Sequence, residues 1–357
     1  MPERVTIAQV AEEVGVSAMT VSNVLNGKPG ASDETRRRVF EVAERLGYQP
    51  NISARNLKAG RSGLIGVLTL DLTTQYGLEI VRGIADELAA AEREMLINAT
   101  YQDAAREMDR IEFLSRGMVD GVLMIAPVLE SETVELLRRK NVPCVVIDPR
   151  RQDVALPRVI VDNYDGMRAG TEHLLRLGHT RIGYIRGDSD MDSSSIRFQG
   201  FSDALNLAGI GMDPRLVVDC DFTYAHGFRA ASALIAEHRP TAIAAGADLI
   251  ALGAVDAARA LGLSVPTEFS VLGFDDLPQA SQSFPGLTTV RQPLHDMGQT
   301  AARALLSLLD GQRLLLDRMQ LPTELVLRGT TAAPADVDAI LDRLLAAAAD
   351  TAGQETQ

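Results

Sequence analysis

The sequence predicts two regions of different fold class, an N-terminal all-α helix-turn-helix unit and a much larger α/β core of two lobes. In the first region, apolar residues recur at helical spacing, and a capping residue stands before each such segment. From Leu64 onward, short apolar runs alternate with helical segments, which is typical of a doubly wound parallel sheet. The alternation starts again after Val161, so we expect two similar lobes in succession. A chain of 357 residues is long enough for both regions.

Charge is distributed unevenly along the chain. The net charge is −13, yet residues 1–62 hold nine Lys and Arg against seven Asp and Glu. Because the rest of the chain carries the whole acidic excess, the asymmetry points to a nucleic-acid-binding N-terminal end. Cys144 and Cys220 lie in no metal-ligand spacing, and reduced thiols are expected. With no apolar leader and no apolar stretch of about 18 residues, the sequence predicts a cytoplasmic protein that does not enter membranes.

The first two helices carry clear start and stop signals. Thr6 and Gln9 are spaced as a capping box, and the helix that they start runs to about Glu13 before Gly15 breaks it. Ser17 is a suitable N-cap for a second helix. The second helix has an apolar stripe formed by Val21, Val24 and Leu25. Two short helices joined in this way form a helix-turn-helix.

A third helix is predicted to begin near Ser32 and to stop at Gly47. Its run Arg36–Arg38 is compatible with contacts to DNA phosphates. The buried face of this helix is expected to consist of Val39, Val42, Ala43 and Leu46.

The outward face of the second helix suits the major groove of DNA. Asn23 could pair with both hydrogen-bonding positions of an adenine edge, and Ala18 or Met19 could contact a thymine methyl group. The alternative is a small helical bundle whose polar faces are only solvated. The outward side chains are Ala18, Met19, Ser22, Asn23 and Asn26. The hydroxyls that could contact phosphates belong to Thr6, Ser17, Thr20 and Ser22.

Residues 51–58, closed off by Gly60, are long enough for only about two helical turns, which are marginal in water when isolated. Leu57 has no amphipathic partners nearby, whereas Arg55 and Lys58 are cationic. A short basic helix with one exposed leucine fits the minor groove, where an apolar wedge unstacks a base step and bends the duplex. An ordinary linker, with Leu57 packed on the core, is the alternative.

Motifs of the N-terminal region follow one another in the order Thr6-Ile7-Ala8-Gln9-Val10-Ala11, Val16-Ser17-x-x-Thr20-Val21-Ser22, Val24-Leu25-Asn26, Thr35-Arg36 through Leu46-Gly47-Tyr48-x-Pro50-Asn51, and Ala54-Arg55-x-Leu57. Together they resemble the DNA-binding region of the LacI/GalR family of bacterial transcription regulators. The resemblance implies a headpiece bound as a homodimer to a pseudo-palindromic operator, with hinge helices that order on DNA and insert Leu57. The family commonly has Arg where this chain has Asn23, so the operator's base preference is open. The hinge candidates for DNA contact are Asn51, Ala54, Arg55, Leu57 and Lys58.

The core alternates short strands with helices, for example the helices from Leu78 to about Arg93 and from Tyr164 to Leu177. Two such lobes leave a cleft between them, and clefts of this kind are favoured ligand sites. The predicted strands are Leu64–Leu70, Met95–Ala99, Gly121–Ile125, Pro143–Ile147, Val159–Val161, Arg181–Ile185, Ala242–Ala245 and Ser270–Phe274.

Core motifs extend the resemblance to about Thr331, namely Asp162-Asn163-x-x-Gly166, Leu177-Gly178-His179, Arg197-x-x-Gly200-Phe201, Ala247-Asp248-x-x-Ala251-x-Gly253, Val271-x-Gly273-Phe274-Asp275-Asp276 and Leu287-Thr288-Thr289-Val290-x-Gln292-Pro293. The family implies a periplasmic-binding-protein-like core whose lobes are joined by three crossovers. The chain is expected to return to the first lobe near Thr288–Pro293 and to the second near Pro322. The expected domains are headpiece 1–50, hinge 51–62, core 63–331 and tail 332–357, with lobe 1 at about 63–161 and 290–321 and lobe 2 at about 162–289 and 322–331.

Polar and aromatic residues near strand ends are the candidates for an effector pocket in the cleft. An arginine can fork onto two hydroxyls, carboxylates can accept from hydroxyls, and aromatic faces can stack on a sugar or a base. A structural salt bridge is the alternative role for Arg197 and Asp275, and ordinary surface or core roles are the alternative for Tyr76, Asp148 and Asp248. The resemblance implies pocket roles for all candidates except Tyr76 and Asp148. The candidates are Tyr76, Asp148, Arg197, Phe222, Asp248 and Asp275.

The family often has Asn-Pro-Phe-Phe where this chain reads Thr74-Gln75-Tyr76-Gly77, so the first-lobe wall of the cleft is expected to be unusual. No Walker-type phosphate loop, Gly-x-Ser-x-Gly elbow or His-Glu-x-x-His motif is present, and the five His residues are scattered. We therefore expect no enzyme activity, no metal and no cofactor, and a structural role for His179.

These observations predict a repressor that binds double-stranded operator DNA under the control of a small-molecule effector. A sugar is favoured by the arginine, carboxylates and aromatic rings of the cleft, and a purine or other metabolite acting as co-repressor is the alternative. A solute-binding receptor is disfavoured by the added DNA-reading unit. The tail is expected to form one short amphipathic helix that packs on its own core, or to be partly disordered, rather than to form a tetramer. Its apolar positions are Val337, Ile340, Leu341, Leu344 and Leu345.

Overall fold

The computed structural model describes residues 5–25, 27–48 and 62–354, except for the side chains of Leu345 and of residues 347–354. The chain divides into two compact units, one ending at Ser62 and one beginning at Gly63, and each is described by itself. The expectations for six residues lie outside the described part, namely those for Asn26, Asn51, Ala54, Arg55, Leu57 and Lys58.

The described N-terminal unit is built of α1 (Ile7–Val14), α2 (Ala18–Leu25) and α3 (Asp33–Leu46). The capping box is present, since the Gln9 backbone N–H donates to the Thr6 hydroxyl at 3.4 Å and the Thr6 N–H donates to Gln9 Oε1 at 2.8 Å. This confirms the predicted helix-turn-helix. The core between the helices includes Val10, Val14, Val21, Val24 and Val39.

The first lobe is a parallel sheet covered by helices on both faces. Its strands are β1 (Leu64–Thr69), β2 (Glu94–Ala99), β3 (Gly121–Ile125), β4 (Cys144–Ile147), β5 (Arg158–Val161) and β11 (Arg318–Leu321), and its helices are α4 (Gln75–Ala90), α5 (Ala104–Leu114), α6 (Ser131–Arg139) and α12 (Leu294–Leu309). The strand order is β11-β5-β4-β3-β1-β2. Helices α4 and α12 pack on one face and α5 and α6 on the other, which is why β3 and β4 are continuous apolar runs.

The second lobe repeats this plan. Its strands are β6 (Ile182–Arg186), β7 (Val217–Asp219), β8 (Ala242–Ala245), β9 (Ser270–Asp275), β10 (Thr288–Arg291) and β12 (Glu324–Val326), and its helices are α7 (Asn163–Arg176), α8 (Asp192–Leu207), α9 (Tyr224–His238), α10 (Asp248–Ala260) and α11 (Pro278–Gln282). The order is β12-β10-β9-β8-β6-β7, in which β12 runs antiparallel to β10. The two-lobed, doubly wound core is confirmed.

Within residues 62–354 the chain crosses between the lobes three times: from β5 to α7, from β10 to α12 and from β11 to β12. The second lobe extends slightly further than the expected boundary at residue 290. Val290 and Arg291 belong to β10, which pairs with β9 of the second sheet, so the return to the first lobe follows Arg291. A strand stays with the sheet that satisfies its backbone hydrogen bonds.

The tail forms α13 (Val337–Gln354), which continues beyond the expected apolar stripe. Its alanine-rich stretch has high helix propensity, which explains the extra turns. Val337 and Leu341 are buried in the second-lobe core, and Arg239 pairs with Asp342 at 2.7 Å. The first turns therefore pack on the protein's own core.

The segment before the tail helix is held by a buried histidine. His179 Nε2 lies 2.8 Å from the Ala332 carbonyl, and Nδ1 lies 2.8 Å from the Thr241 hydroxyl. A neutral ring with its proton on Nε2 satisfies both contacts. His179 therefore has the structural role that its position at a helix end suggested.

Candidate functional site

A cavity of about 110 Å³ lies between the two lobes, at the carboxyl ends of their parallel strands. The space is sufficient for several waters or a small molecule, since one water occupies about 30 Å³ in the liquid. Residues that follow β1, β3 and β4 line it from the first lobe, and residues from α8 and the end of β9 line it from the second. Strand ends at an interlobe crevice are the usual ligand position in folds of this class.

Arg197 is the most firmly held polar side chain of the cavity wall. It lies on α8, is 3% exposed, and donates from Nε to Asn163 Oδ1 and from Nη1 to the Gly246 carbonyl, both at 2.7 Å. Its guanidinium stacks 3.9 Å from the centre of the Phe274 ring and lies 3.7 Å from Asp275 Oδ1. Because several neighbours fix it independently, the orientation of Arg197 is set before any ligand binds.

Asp275 ends β9 with a left-handed backbone, φ 122°. Its Oδ1 accepts a hydrogen bond from Gln292 Nε2 at 2.6 Å. Burial raises the pKa of this carboxyl to about 6, against the opposing influence of the Arg197 charge and of the Gln292 hydrogen bond. A non-glycine residue held at positive φ, with a perturbed pKa and in a cleft, is typical of a functional position.

The first-lobe wall carries a second buried carboxyl. Tyr76 donates from its hydroxyl to Asp148 Oδ2 at 2.9 Å, while Asp148 Oδ1 has no hydrogen-bond partner among the described residues. Burial raises the pKa of Asp148, and burial together with this carboxyl raises the pKa of Tyr76. Asp148 and Ala126, at the ends of β4 and β3, both have positive φ, 45° and 47°. The unpaired Oδ1 is an acceptor that a ligand can use.

Asp248 does not line the cavity, contrary to the placement expected from the sequence. It is fully buried at the first residue of α10, where Oδ2 accepts from the Leu277 N–H at 2.7 Å and Oδ1 accepts from the Thr289 hydroxyl at 2.5 Å. Oδ1 therefore joins the start of α10 to β10, and Oδ2 joins it to the segment after β9. Leu277 does line the cavity, so Asp248 contributes to the wall through Leu277.

Phe222 supplies an aromatic surface from the second lobe. Its ring lies directly against the backbone of Gly187, where an added Cβ would overlap the ring. Glycine at this position therefore lets the ring pack directly against the backbone that follows β6. A ring fixed in this way can present a face to a sugar or a base.

In the N-terminal unit, the exposed start of α2 carries the predicted DNA-contact residues. Ala18 and Met19 are exposed, whereas Thr20, Ser22 and Asn23 are half-buried. The hydroxyls of Ser17 and Thr6 serve as helix caps, because they accept from the backbone N–H groups of Thr20 and Gln9. The described members of the predicted set thus lie on α2 and at the starts of α1 and α2, where N–H groups favour phosphate.

Comparison with known proteins decides the family. Residues 6–51 match the family model "Bacterial regulatory proteins, lacI family", and residues 171–331 match the "Periplasmic binding protein-like domain". The chain is 34% identical over 328 residues to the HTH-type transcriptional regulator RegA of Clostridium saccharobutylicum, which covers 91% of this chain and 99% of RegA. The chain belongs to the lacI family of bacterial regulators. It is a DNA-binding transcriptional regulator, and the relatives are regulators rather than enzymes.

Two solved structures resemble this LacI-family regulator over more than nine-tenths of its length. The Lac repressor dimer bound to operator and the anti-inducer ONPF has a TM-score of 0.84 at 30% identity, and the match covers 93% of this chain and all of that one. The complex of the transcriptional regulator CelR with cellobiose has a TM-score of 0.71 at 30% identity, over 92% of this chain and all of that one. Within the described part of this regulator, every helix is too short or too polar to cross a lipid bilayer.

Several residues of this regulator's cleft were not among the sequence candidates. Asn163 and Gln292 hold Arg197 and Asp275, and Arg150 and Leu277 line the cavity directly. Gln292 directly follows β10, and Asn163 comes two residues after β5, at the start of α7, so position next to a strand end is a signal that could have identified both. The loop position of Arg150 offered no periodic signal.

Proposed function

We propose that this protein is a homodimeric repressor, working in the cytoplasm, whose operator affinity is controlled by a small uncharged sugar bound between the lobes. The observation that carries the proposal is the interlobe cavity, with a buried carboxyl and an aromatic ring on each wall. Carboxylate acceptors and flat rings are the groups that recognise sugar hydroxyls and sugar faces.

The charges around the cavity favour an uncharged ligand. Arg197 lies beside Asp275, and Arg150 donates to Asp188 at 2.9 Å, so both cations have carboxylate partners. Asp148 adds a further buried carboxyl, whose Oδ1 lacks a partner among the described atoms. A phosphate would meet paired cations and an acidic excess, whereas a hydroxyl can donate to that oxygen.

The relatives support the same class of ligand. The Lac repressor structure contains operator DNA and an anti-inducer, and the CelR structure contains cellobiose. Both match this chain over more than nine-tenths of its length. Similar control by a sugar is the simplest proposal for the interlobe cavity of this chain.

On DNA, we propose that α2 enters the major groove, where Met19 and Asn23 read base edges and Leu57 acts as the minor-groove wedge. The effector closes or rotates the lobes and changes the distance between the two hinge segments of the dimer. Separated hinges lose their helices, Leu57 leaves the groove, and operator affinity falls.

An exposed aromatic side chain on the second lobe supports the proposed dimer. Phe284 is 90% exposed, and its carbonyl accepts from Arg259, which pairs with Asp256 at 3.0 Å. Asp256 in turn accepts from the Tyr224 hydroxyl at 2.6 Å. An exposed aromatic side chain on a braced polar network is typical of an interface centre.

The test begins with selection of an operator from random duplexes, followed by mobility shifts at about 0.15 M salt, since DNA affinity has meaning only at a stated salt concentration. A panel of neutral sugars, their phosphates and purine bases is then added. One neutral sugar is expected to release the operator. If only a purine or a sugar phosphate released the operator, the effector would be that compound and not a neutral sugar. If no operator could be selected, the proposal that the protein is a repressor would be rejected.

The wedge is tested separately with Leu57→Ala. This variant is expected to bind the operator more weakly and to keep its affinity for the sugar. Leu315→Ala is the matched control, because Leu315 is a fully exposed leucine in the two-lobed region of the chain. Equal operator affinity of Leu57→Ala and the control would remove Leu57 from the wedge role.

A further inference from the structure

A group of polar contacts joins the lobes beside the cavity. The loop 148–157 connects β4 to β5, so it belongs covalently to the first lobe. It reaches the first turn of α8 in the second lobe. No crossover connects these two segments directly, and their contacts are therefore free to form and break as the lobes move.

Asp192, at the start of α8, makes the first contacts of this group. Its backbone N–H donates to the Arg150 carbonyl at 2.9 Å, and its Oδ2 accepts from the Gln152 N–H at 2.7 Å. Oδ1 lies 3.6 Å from Arg151 Nη1. The first N–H groups of a helix have no partner within the helix, and here the other lobe provides one.

Arg150 makes the second contact. Its own N–H donates to the Pro127 carbonyl of the first lobe at 3.1 Å, which fixes the backbone, while Nη2 donates to Asp188 Oδ2 across the lobes at 2.9 Å. Asp188 follows β6, and its Oδ1 accepts from the Asp190 N–H at 2.9 Å. The Arg150 and Asp188 side chains are 22% and 25% exposed, so solvent weakens their attraction only in part.

We propose that Arg150, Gln152, Asp188 and Asp192 form an interlobe latch that favours the closed arrangement of the lobes over the cavity, whichever ligand the cavity binds. All of its hydrogen bonds run between protein groups, so it needs no ligand to form. Arg150 and Ser193, which adjoins the latch residue Asp192, both line the cavity, so opening the latch uncovers the cavity edge. The latch therefore sets how often the cavity opens to solvent, and effector entry follows its opening.

Amide hydrogen exchange of the full-length protein tests the latch, because the Gln152 and Asp192 N–H groups donate across the lobes and exchange when the latch opens. In Asp188→Asn, which keeps an acceptor for the Asp190 N–H, we expect both amides to exchange on the order of five-fold faster. Raising salt from about 0.1 M to 1 M, which shortens the screening length from about 10 Å to 3 Å, is expected to act in the same direction on the wild type.

Asp165→Asn is the matched control. It removes an Arg–Asp pair of the same 2.9 Å length, with Arg168, that lies wholly within α7 of the second lobe. We expect this variant to leave the Gln152 and Asp192 amides at the wild-type rate. Unchanged exchange in Asp188→Asn overturns the latch, and so does an increase shared equally by the amides of β8, since that result would show general loosening of the lobe. The outcome does not depend on the identity of the effector or on operator binding.

Discussion

The two walls of the cavity differ in how firmly their polar side chains are held. In the second lobe, Arg197 has two hydrogen-bond acceptors, a carboxylate neighbour and an aromatic face. In the first lobe, Asp148 shares one hydrogen bond with Tyr76, and its other oxygen has no partner among the described residues. The guanidinium of Arg197 is thus fixed by several protein groups, whereas the carboxyl of Asp148 is held by one and keeps an oxygen available to a ligand. We therefore expect the first-lobe wall to set ligand preference.

The largest effect is expected from Arg197→Ala. The change leaves Asp275 buried without its cation and two acceptors without their donor, and breaking a buried pair costs about 3–5 kcal/mol of unfolding free energy. Urea unfolding measures this loss. Arg186→Ala, which removes a more exposed pair with Asp219, is the control and should cost about 1 kcal/mol or less. Equal losses of unfolding free energy in the two variants would mean that Arg197 is held no more firmly than an exposed arginine.

Arg197→Ala also separates the two functions of the protein. Studied below its lowered unfolding temperature, the variant should retain operator binding and lose the response to the sugar. A variant that is still released from the operator by the sugar would remove Arg197 from the pocket.

The pH dependence of Asp275 gives the next largest effect. Because its pKa is about 6 in the folded protein and 3.8 without burial, the folded state holds a proton that the unfolded chain releases between these values. The contribution to stability is therefore complete below about pH 4 and is lost as the pH rises through about 6. Relative to Asp275→Asn, the wild type should gain at most about 3 kcal/mol between pH 7 and pH 4.

Urea unfolding of both proteins across this pH interval is the measurement. The comparison of wild type with variant cancels the titration of groups whose pKa does not depend on Asp275, such as His179, whose pKa burial lowers. A difference between the two proteins that does not change with pH would contradict the burial of an ionisable Asp275.

Tyr76→Phe should have a smaller effect. The substitution removes the donor to Asp148 Oδ2 and leaves a buried oxygen unpaired, which costs about 1–2 kcal/mol of unfolding free energy. Tyr164→Phe, which removes a hydroxyl bonded to Asp203 at the surface, is the matched control and should cost less. A loss as large as that of Arg197→Ala would make the two walls equally constrained.

Asp148→Asn should change stability least, by less than about 1 kcal/mol. The amide oxygen still accepts from Tyr76, and the substitution removes a carboxyl whose pKa burial raises, so losses and gains offset one another. Sugar affinity, measured by calorimetry, should fall about ten-fold, as one charge-assisted hydrogen bond is lost. A variant that is destabilised yet binds the sugar normally would reverse the assignment of the first-lobe wall.

Sequence patterns predicted the architecture because buried parallel strands must be apolar on both faces. Segments such as Gly121–Ile125 and Ala242–Ala245 are therefore recognisable without their neighbours. The length of α13 was underestimated, because the alanine-rich stretch carries helix propensity without amphipathic spacing. The chain returns to the first lobe within the expected stretch Thr288–Pro293, and only strand pairing shows that β10 continues to Arg291, slightly beyond the expected boundary at about residue 290.

The site could be predicted only in part. Arg197, Asp275, Asp148 and Tyr76 line the cavity as expected, because residues at the carboxyl ends of parallel strands converge. Asp248 is an aspartate like Asp148 and Asp275, and it also lies shortly after a strand, at the start of α10. Its carboxylate nevertheless points into the second lobe and not into the cavity. That direction depends on how α10 meets β10, which spacing along the chain does not encode.

The three crossovers have a consequence for synthesis of the chain. The described helices of the N-terminal unit end at Leu46, so these helices can fold early during translation. The first lobe can complete its folding only much later, because its edge strand β11 and its helix α12 come from residues 294–321. Until then, β5 lacks its outer neighbour and one apolar face of the sheet is covered by α4 alone. A nascent or truncated chain that stops before residue 294 therefore exposes an open sheet edge, and it needs protection from aggregation until translation is almost complete.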